Sequence, residues 1–232
     1  MAPRGRTGGV TLRYGIVLVL VVVSYVIQIA APDDDLTRLV VVWLQAGTLV
    51  STIRIAQASR AIVRLGAALA AFIAVAAPVV WAVNGSIPNG TAAITTALLV
   101  GIAPAVIVAG LVREQRSRGA VTVEALSGVL SIYLLVGMFF AFLYAAVADL
   151  GDAKLFSEVA DPDRADLLYF SYTTLTTTGF GDFTAATDLA RTLAVTEALI
   201  GQIYLVTVVA LIITNLRPRG RDARAAPAEE GG

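Results

Sequence analysis

Apolar residues in this chain gather into six long runs, and that grouping decides most of what it can become. The runs are Tyr14–Ala31, Leu39–Ile55, Leu65–Val83, Ala92–Val112, Val121–Val147 and Leu193–Leu216. A helix needs about 17–25 mostly apolar residues to cross a bilayer, and each run is of that order. The chain is 57% hydrophobic and only 15% charged over 232 residues, too little polar surface to clothe a water-soluble fold. Within lipid every backbone amide must be paired inside the protein, which makes helices the natural element for runs of this length. The expected fold is therefore an all-α membrane protein. The second run is short and carries Gln45 inside it and Arg54 near its end. Pro78 and Pro104 are expected to kink the third and fourth helices or to mark where they loosen.

The linkers assign the sides. Arg4, Arg6 and Arg13 precede the first run; Arg54, Arg60 and Arg64 join the second to the third. Arg113, Arg116 and Arg118 join the fourth to the fifth, and Arg217, Arg219, Arg221 and Arg224 follow the sixth. Thirteen of the 17 basic residues thus fall on one face, which the positive-inside rule makes cytoplasmic, with both termini. The opposite linkers are acidic: Asp33, Asp34 and Asp35, then Asp149, Asp152, Glu158, Asp161, Asp163 and Asp166. This alternation argues for six spans, the short second one included. The basic start, first apolar run and small residues Ala30 and Ala31 also fit a cleaved signal peptide, although the run is longer than a usual signal core. Residues 217–232, "RPRGRDARAAPAEEGG", read as a disordered cytoplasmic tail, too short for a soluble ligand domain. No internal repeat is visible.

Net charge is zero, so overall basicity gives no reason to expect a nucleic-acid partner. A lipid bilayer is the expected surroundings. Cysteine and histidine are both absent. That closes disulfides, zinc and haem ligation by these residues, cysteine nucleophiles and Ser-His-Asp triads, and no enzymatic activity is expected.

Between the fifth and sixth runs lies a segment of a different kind. "ADLLYFSYTTL", Ala165 to Leu175, is long enough for a short helix but not for a span, with Asp163 or Asp166 near its start. "TTLTTTGFGD", Thr173 to Asp182, follows, rich in residues that form helix poorly. Irregular backbone at membrane depth is tolerated only when buried in protein or lining water. A re-entrant hairpin with its loop on an aqueous path is the expected solution.

The stretch Thr176–Asp182 resembles the selectivity-filter signature of the tetrameric potassium channel superfamily, whose usual core is Thr-Val-Gly-Tyr-Gly followed by Asp. The likeness runs from about Val121 to Leu216 and is strongest from Leu167 to Asn215. It implies an outer helix, pore helix, filter and inner helix over residues 119–216, behind a four-helix N-terminal domain over residues 1–118. It also implies a homotetramer, since one strand supplies only one quadrant, with permeant K+ and no other cofactor. By the resemblance, the carbonyls of Thr177, Thr178, Gly179 and Phe180 bind K+, Gly181 completes the strand, and the Thr177 hydroxyl completes the innermost site. Glycine permits the backbone angles that aim successive carbonyls at one axis, where they replace the hydration shell of K+. Thr178 stands where Val is usual, and Phe180 where Tyr is usual. The second change removes a hydroxyl that in many relatives bonds pore-helix aromatics, a place filled here by Tyr169 and Phe170. Thr176 and Asp182 flank the filter as supports.

Glu197 lies within the sixth run, where an ionised carboxylate costs roughly 2.5–3.5 kcal/mol. It shares a stripe with Gly201, which falls at the usual hinge position, and is expected to face the back of the pore helix. Its expected hydrogen-bond partners are Tyr172 and the Thr173–Thr178 hydroxyls. It reads either as a hydrogen-bond anchor or as a proton sensor coupled to the filter. Gln202, Leu205 and Val209 form a second stripe, assigned to a water-filled cavity. Glu124 reads as an interfacial carboxylate near Arg116 and Arg118. A voltage sensor needs several arginines across the membrane, and the fourth run has none, so classical voltage gating is not expected. A non-selective cation channel of the same fold, a non-conducting accessory subunit and an intramembrane enzyme are the rival readings. The last would need paired catalytic groups at one depth, whereas Glu124 and Glu197 belong near opposite ends.

Overall fold

The structure, a computed structural model, describes residues 13–56, 60–85, 89–118, 123–151 and 154–215. Seven helices account for nearly all of them: α1 (Arg13–Ala30), α2 (Asp35–Ile55), α3 (Arg60–Asn84), α4 (Asn89–Arg118), α5 (Val123–Leu150), α6 (Arg164–Leu175) and α7 (Asp188–Asn215). Five of these, α2, α3, α4, α5 and α7, contain stretches long and apolar enough to cross a membrane. The apolar stretch of α1, Tyr14–Ala30, is shorter. The disordered-tail expectation for residues 217–232 lies outside the described residues, as does the first part of the signal-peptide reading.

Helix ends follow local capping rather than the apolar runs. α2 starts four residues before its run because the Asp34 carboxylate accepts the Thr37 amide at 2.8 Å. Arg38 then pairs with Asp33 and Asp35 on the same turn. α7 starts at Asp188, ahead of its run, where the Thr187 hydroxyl accepts the Ala190 amide. The helical assignment continues through Pro78 in α3 and Pro104 in α4.

α5 is the central element. α1, α4, α6 and α7 all pack on it; α2 lies against α1 and α4, and α1 also touches α6. Val17, Val21, Leu49, Ile73, Leu99, Ile107 and Leu135 belong to the shared interior of the first five helices. A second cluster, Tyr144, Leu155, Phe156, Leu167 and Phe170, seats α6 against the end of α5. α3 packs chiefly on α2 and leaves Phe72 and Val75 exposed, suited to lipid.

Two polar devices tie the helices. Gln45, the residue that weakened the second run on paper, is fully buried and donates to the Ser24 hydroxyl at 2.9 Å. Gln28 and Gln45 both reach the Met138 sulfur at 3.3 Å, so α1, α2 and α5 meet at one polar node. Arg164, the first residue of α6, reaches back to the end of α1. Its Nε donates to the Gln28 carbonyl at 3.3 Å, and Nη2 to those of Ala31 and Pro32 at 3.3 and 3.1 Å. Carbonyls at a helix C-terminus lack partners in their own helix, and here the side chain of the first residue of α6 supplies them. Arg164→Met keeps the aliphatic stem and removes the donors. It is expected to cost about 1–3 kcal/mol and to lower the unfolding midpoint of the detergent-solubilised protein in a thermal melt.

Candidate functional site

The site is built on α6. Its start is fixed by a reciprocal capping box: the Asp166 amide donates to Asp163 at 2.9 Å and the Asp163 amide to Asp166 at 3.1 Å. Both aspartates singled out in the sequence are used. Its end is fixed by threonines, whose side chains turn to local carbonyls. The Thr173 hydroxyl donates to the Phe170 carbonyl at 3.0 Å, and that of Thr176 to the Tyr172 carbonyl at 2.7 Å.

After Leu175 the backbone folds over its own helix end. The Thr177 amide donates to the Thr174 carbonyl at 2.9 Å. The amides of Thr178 and Gly179 both donate to the Thr173 carbonyl, at 2.8 and 3.2 Å. φ is positive at Thr177 (56°), Gly179 (50°) and Gly181 (82°), and not at Thr178 or Phe180 between them. Alternation of this kind sends amides to one side and carbonyls to the other. The amides are spent on the end of α6. Among the described residues, no hydrogen bond reaches the carbonyls of Thr177, Thr178, Gly179 or Phe180. A threonine at positive φ is strained, and bonds on either side hold it: its hydroxyl donates to the Thr176 carbonyl and accepts from the Gln202 amide, both at 2.7 Å. Residues 176–182 are exposed on the single chain.

Supports surround this loop. The Tyr169 hydroxyl donates to Asp182 at 2.7 Å, and its ring stacks on Phe180 at 6.3 Å, tilted by only 10°. The hydroxyl missing from Phe180 is thus offset by one on the facing aromatic, which bonds Asp182 instead. Phe170 points away from the loop, into the cluster with Tyr144 and Phe156. Beyond the loop the chain is tied to the segment before α6. Phe156 and Ala185 form an antiparallel bridge, flanked by bonds from Ser157 to Thr184 and from Ala186 to Leu155. The Glu158 carboxylate accepts the Thr184 amide at 2.8 Å and its hydroxyl at 2.6 Å. Those bonds hold the Glu158 carboxyl below its ordinary range.

Glu197 is fully buried in α7 and faces the back of α6, as expected. Its partners differ from the expected ones. Tyr144 of α5 donates to Oε2 at 2.7 Å and Ser171 of α6 contacts Oε1. Tyr172 instead donates to the Leu134 carbonyl at 2.6 Å, and the Thr173 and Thr176 hydroxyls are spent within α6. Tyr144 and Ser171 were missed because their meeting depends on how α5 crosses α6, which no local pattern encodes. Gly201 is buried, and a Cβ there would strike the Leu175 carbonyl oxygen. A close approach between backbones explains this glycine, and α7 runs unbroken through it. Gln202 and Leu205 are exposed on the chain. The side chains of Val209 and Glu124 lie outside the described residues.

Residues 128–217, the span from α5 to the end of α7, match a family model described as an ion channel. The match covers less than half of the chain and supports an ion channel set among membrane-crossing helices. No curated protein and no solved structure matches the chain.

Two outcomes follow. The Ser171 hydroxyl has one proton and two acceptor neighbours, Glu197 and the Gly137 carbonyl at 2.7 Å. Glu197→Gln keeps an acceptor for Tyr144 and adds a donor for Ser171, so it is expected to melt close to wild type. Glu197→Ala strands the buried Tyr144 hydroxyl, leaves Ser171 only the Gly137 carbonyl, and is expected to lose about 1–3 kcal/mol; thermal melts of both variants check the order. For Glu158 the folded value is lowered, so its contribution is present above the value of the unfolded chain and is lost as pH falls through the folded value. Protection of the Thr184 amide, corrected for intrinsic exchange, is expected to fall on acidification in wild type and to lose that pH dependence in Glu158→Gln.

Proposed function

We propose that the chain is a potassium-selective channel that conducts K+ passively across a plasma membrane. It acts as a homotetramer of six-span subunits with both termini cytoplasmic, and performs no covalent chemistry. The observation that carries this reading is the backbone of Thr177–Gly181. The amides of Thr177, Thr178 and Gly179 are bonded to the end of α6, φ alternates in sign, and four successive carbonyls have no partner among the described residues. Desolvated K+ needs oxygens of this kind in rings. Four chains around one axis supply those rings, with Thr177, Thr178, Gly179 and Phe180 as ligands.

The outer faces support assembly. Val195, Leu199, Ile203 and Val206 on α7 and Phe180 in the loop are exposed on a single chain. Copies of α7 packed around a pathway would cover part of that surface. Among the described residues α2, α3 and α4 do not pack on α6 or α7, and α4 carries no arginine before Arg113. That fits conduction that depends little on voltage.

Gly179→Ala is the direct test. The left-handed angle at this position costs a residue with a Cβ about 1–2 kcal/mol, and rotation to a relaxed angle would turn a carbonyl off the axis. K+ flux into reconstituted vesicles is expected to disappear while the tetramer persists on native gels. Unchanged flux would overturn the reading. A wild-type reversal potential that follows Na+ as well as K+ would make the pore a non-selective cation channel.

A further inference from the structure

We infer that Gln202 forms an additional cation-coordinating ring directly beneath Thr177 and fixes the direction of the Thr177 hydroxyl proton; this rests on the potassium-channel reading above. The inference begins with a count of protons. Thr177 Oγ1 lies 2.7 Å from the Thr176 carbonyl oxygen, which can only accept, so the hydroxyl proton is spent there. The Gln202 side chain also lies 2.7 Å from Oγ1. With the proton already committed, the group that meets Oγ1 must be the carboxamide NH2. The order Gln202 N–H to Thr177 O–H to Thr176 C=O is therefore determined by chemistry.

Two consequences follow. The hydroxyl cannot swing its proton toward the pathway, so its remaining lone pair stays available to a cation. The other arm of the carboxamide, Oε1, accepts no hydrogen bond among the described residues, and Gln202 is exposed on the chain. From Ala198 to Val206 the polar side chains are Gln202 and Tyr204, and the Tyr204 hydroxyl is committed to the Val129 carbonyl. Leu205, nearly one turn on, offers no oxygen. Gln202 is thus the α7 side chain of that stretch able to meet a cation below the loop.

Fourfold repetition gives a collar of neutral amide oxygens. These match the backbone carbonyls above them in kind, so a K+ ion arriving with its water exchanges part of that shell before the first backbone ring. The step is side-specific: it serves ions arriving from the cytoplasm.

The test compares wild type, Gln202→Met and Gln202→Glu in planar bilayers, with K+ varied on one side at a time. Methionine has similar length and no donor or hard oxygen. The half-saturating K+ concentration from the cytoplasmic side is expected to rise at least about twofold, the low end of what one net hydrogen bond sustains, with the external value unchanged. Glutamate brings charge to the same oxygens and is expected to lower the cytoplasmic value. If the methionine variant does not assemble, the glutamate variant decides alone. Wild-type values in the variants, or equal changes from both sides, overturn the inference and leave the channel reading standing. A wild type that passes no K+ overturns the channel reading, and the inference falls with it.

Discussion

The loop after α6 depends on one constraint: the carbonyls at the end of a short helix must find donors, and the next residues in the chain are the ones that supply them. The Thr173 and Thr174 carbonyls take the amides of Thr177, Thr178 and Gly179. Once those amides are committed, the carbonyls between them have nowhere to point but outward. The unpaired oxygens are thus a by-product of satisfying a helix terminus. A loop of this kind in lipid would carry a cost of several kcal/mol per unpaired group. It becomes useful where cations, in place of protein donors, meet those oxygens.

The rest of the fold keeps that short helix still. Leu167, Leu168 and Leu175 are buried, Arg164 binds the end of α1, and the Tyr172 ring meets Tyr25 edge-on at 5.0 Å. Glu197 connects it to α5 and α7 through Ser171 and Tyr144. Of the first four helices, α1 therefore touches α6 directly. The polar node of Ser24, Gln28, Gln45 and Met138 gives α1, α2 and α5 a fixed mutual position, which apolar packing in lipid specifies less sharply.

Much of this was legible in the sequence, because the governing rules are local. Apolar length gave the helices, and Asp163 with Asp166 announced the start of α6. Glycines at two of the three left-handed positions marked the turn of the loop. Thr177 gave no such mark, since threonine at positive φ is held by tertiary bonds. The partners of Glu197 were misread because a helical stripe names the face a residue shows, not the side chain it meets. Glu158 and Thr184 stand 26 residues apart, and only the bridge beside them brings them together. Gln45 looked like a blemish in a span, and its role appeared once α1 and α5 were set beside it.

Gly201, placed in the sequence at a hinge position, is in the structure a point of close contact. With no side chain between them, α7 and the Leu175 carbonyl touch backbone to backbone, one turn past the anchor at Glu197. A rod held at one place and pressed against a support next to it behaves as a lever. From Gly201 to Asn215 the free arm is about 21 Å long at the rise of an α-helix. The stretch from the anchor to the support is a single turn. Swings of the long arm are scaled down at the support, and the first bond beyond it is the one from Gln202 to Thr177. Movement at the far end of α7 is thus expected to reach the loop as a small displacement, in keeping with the ion-binding role proposed for its oxygens.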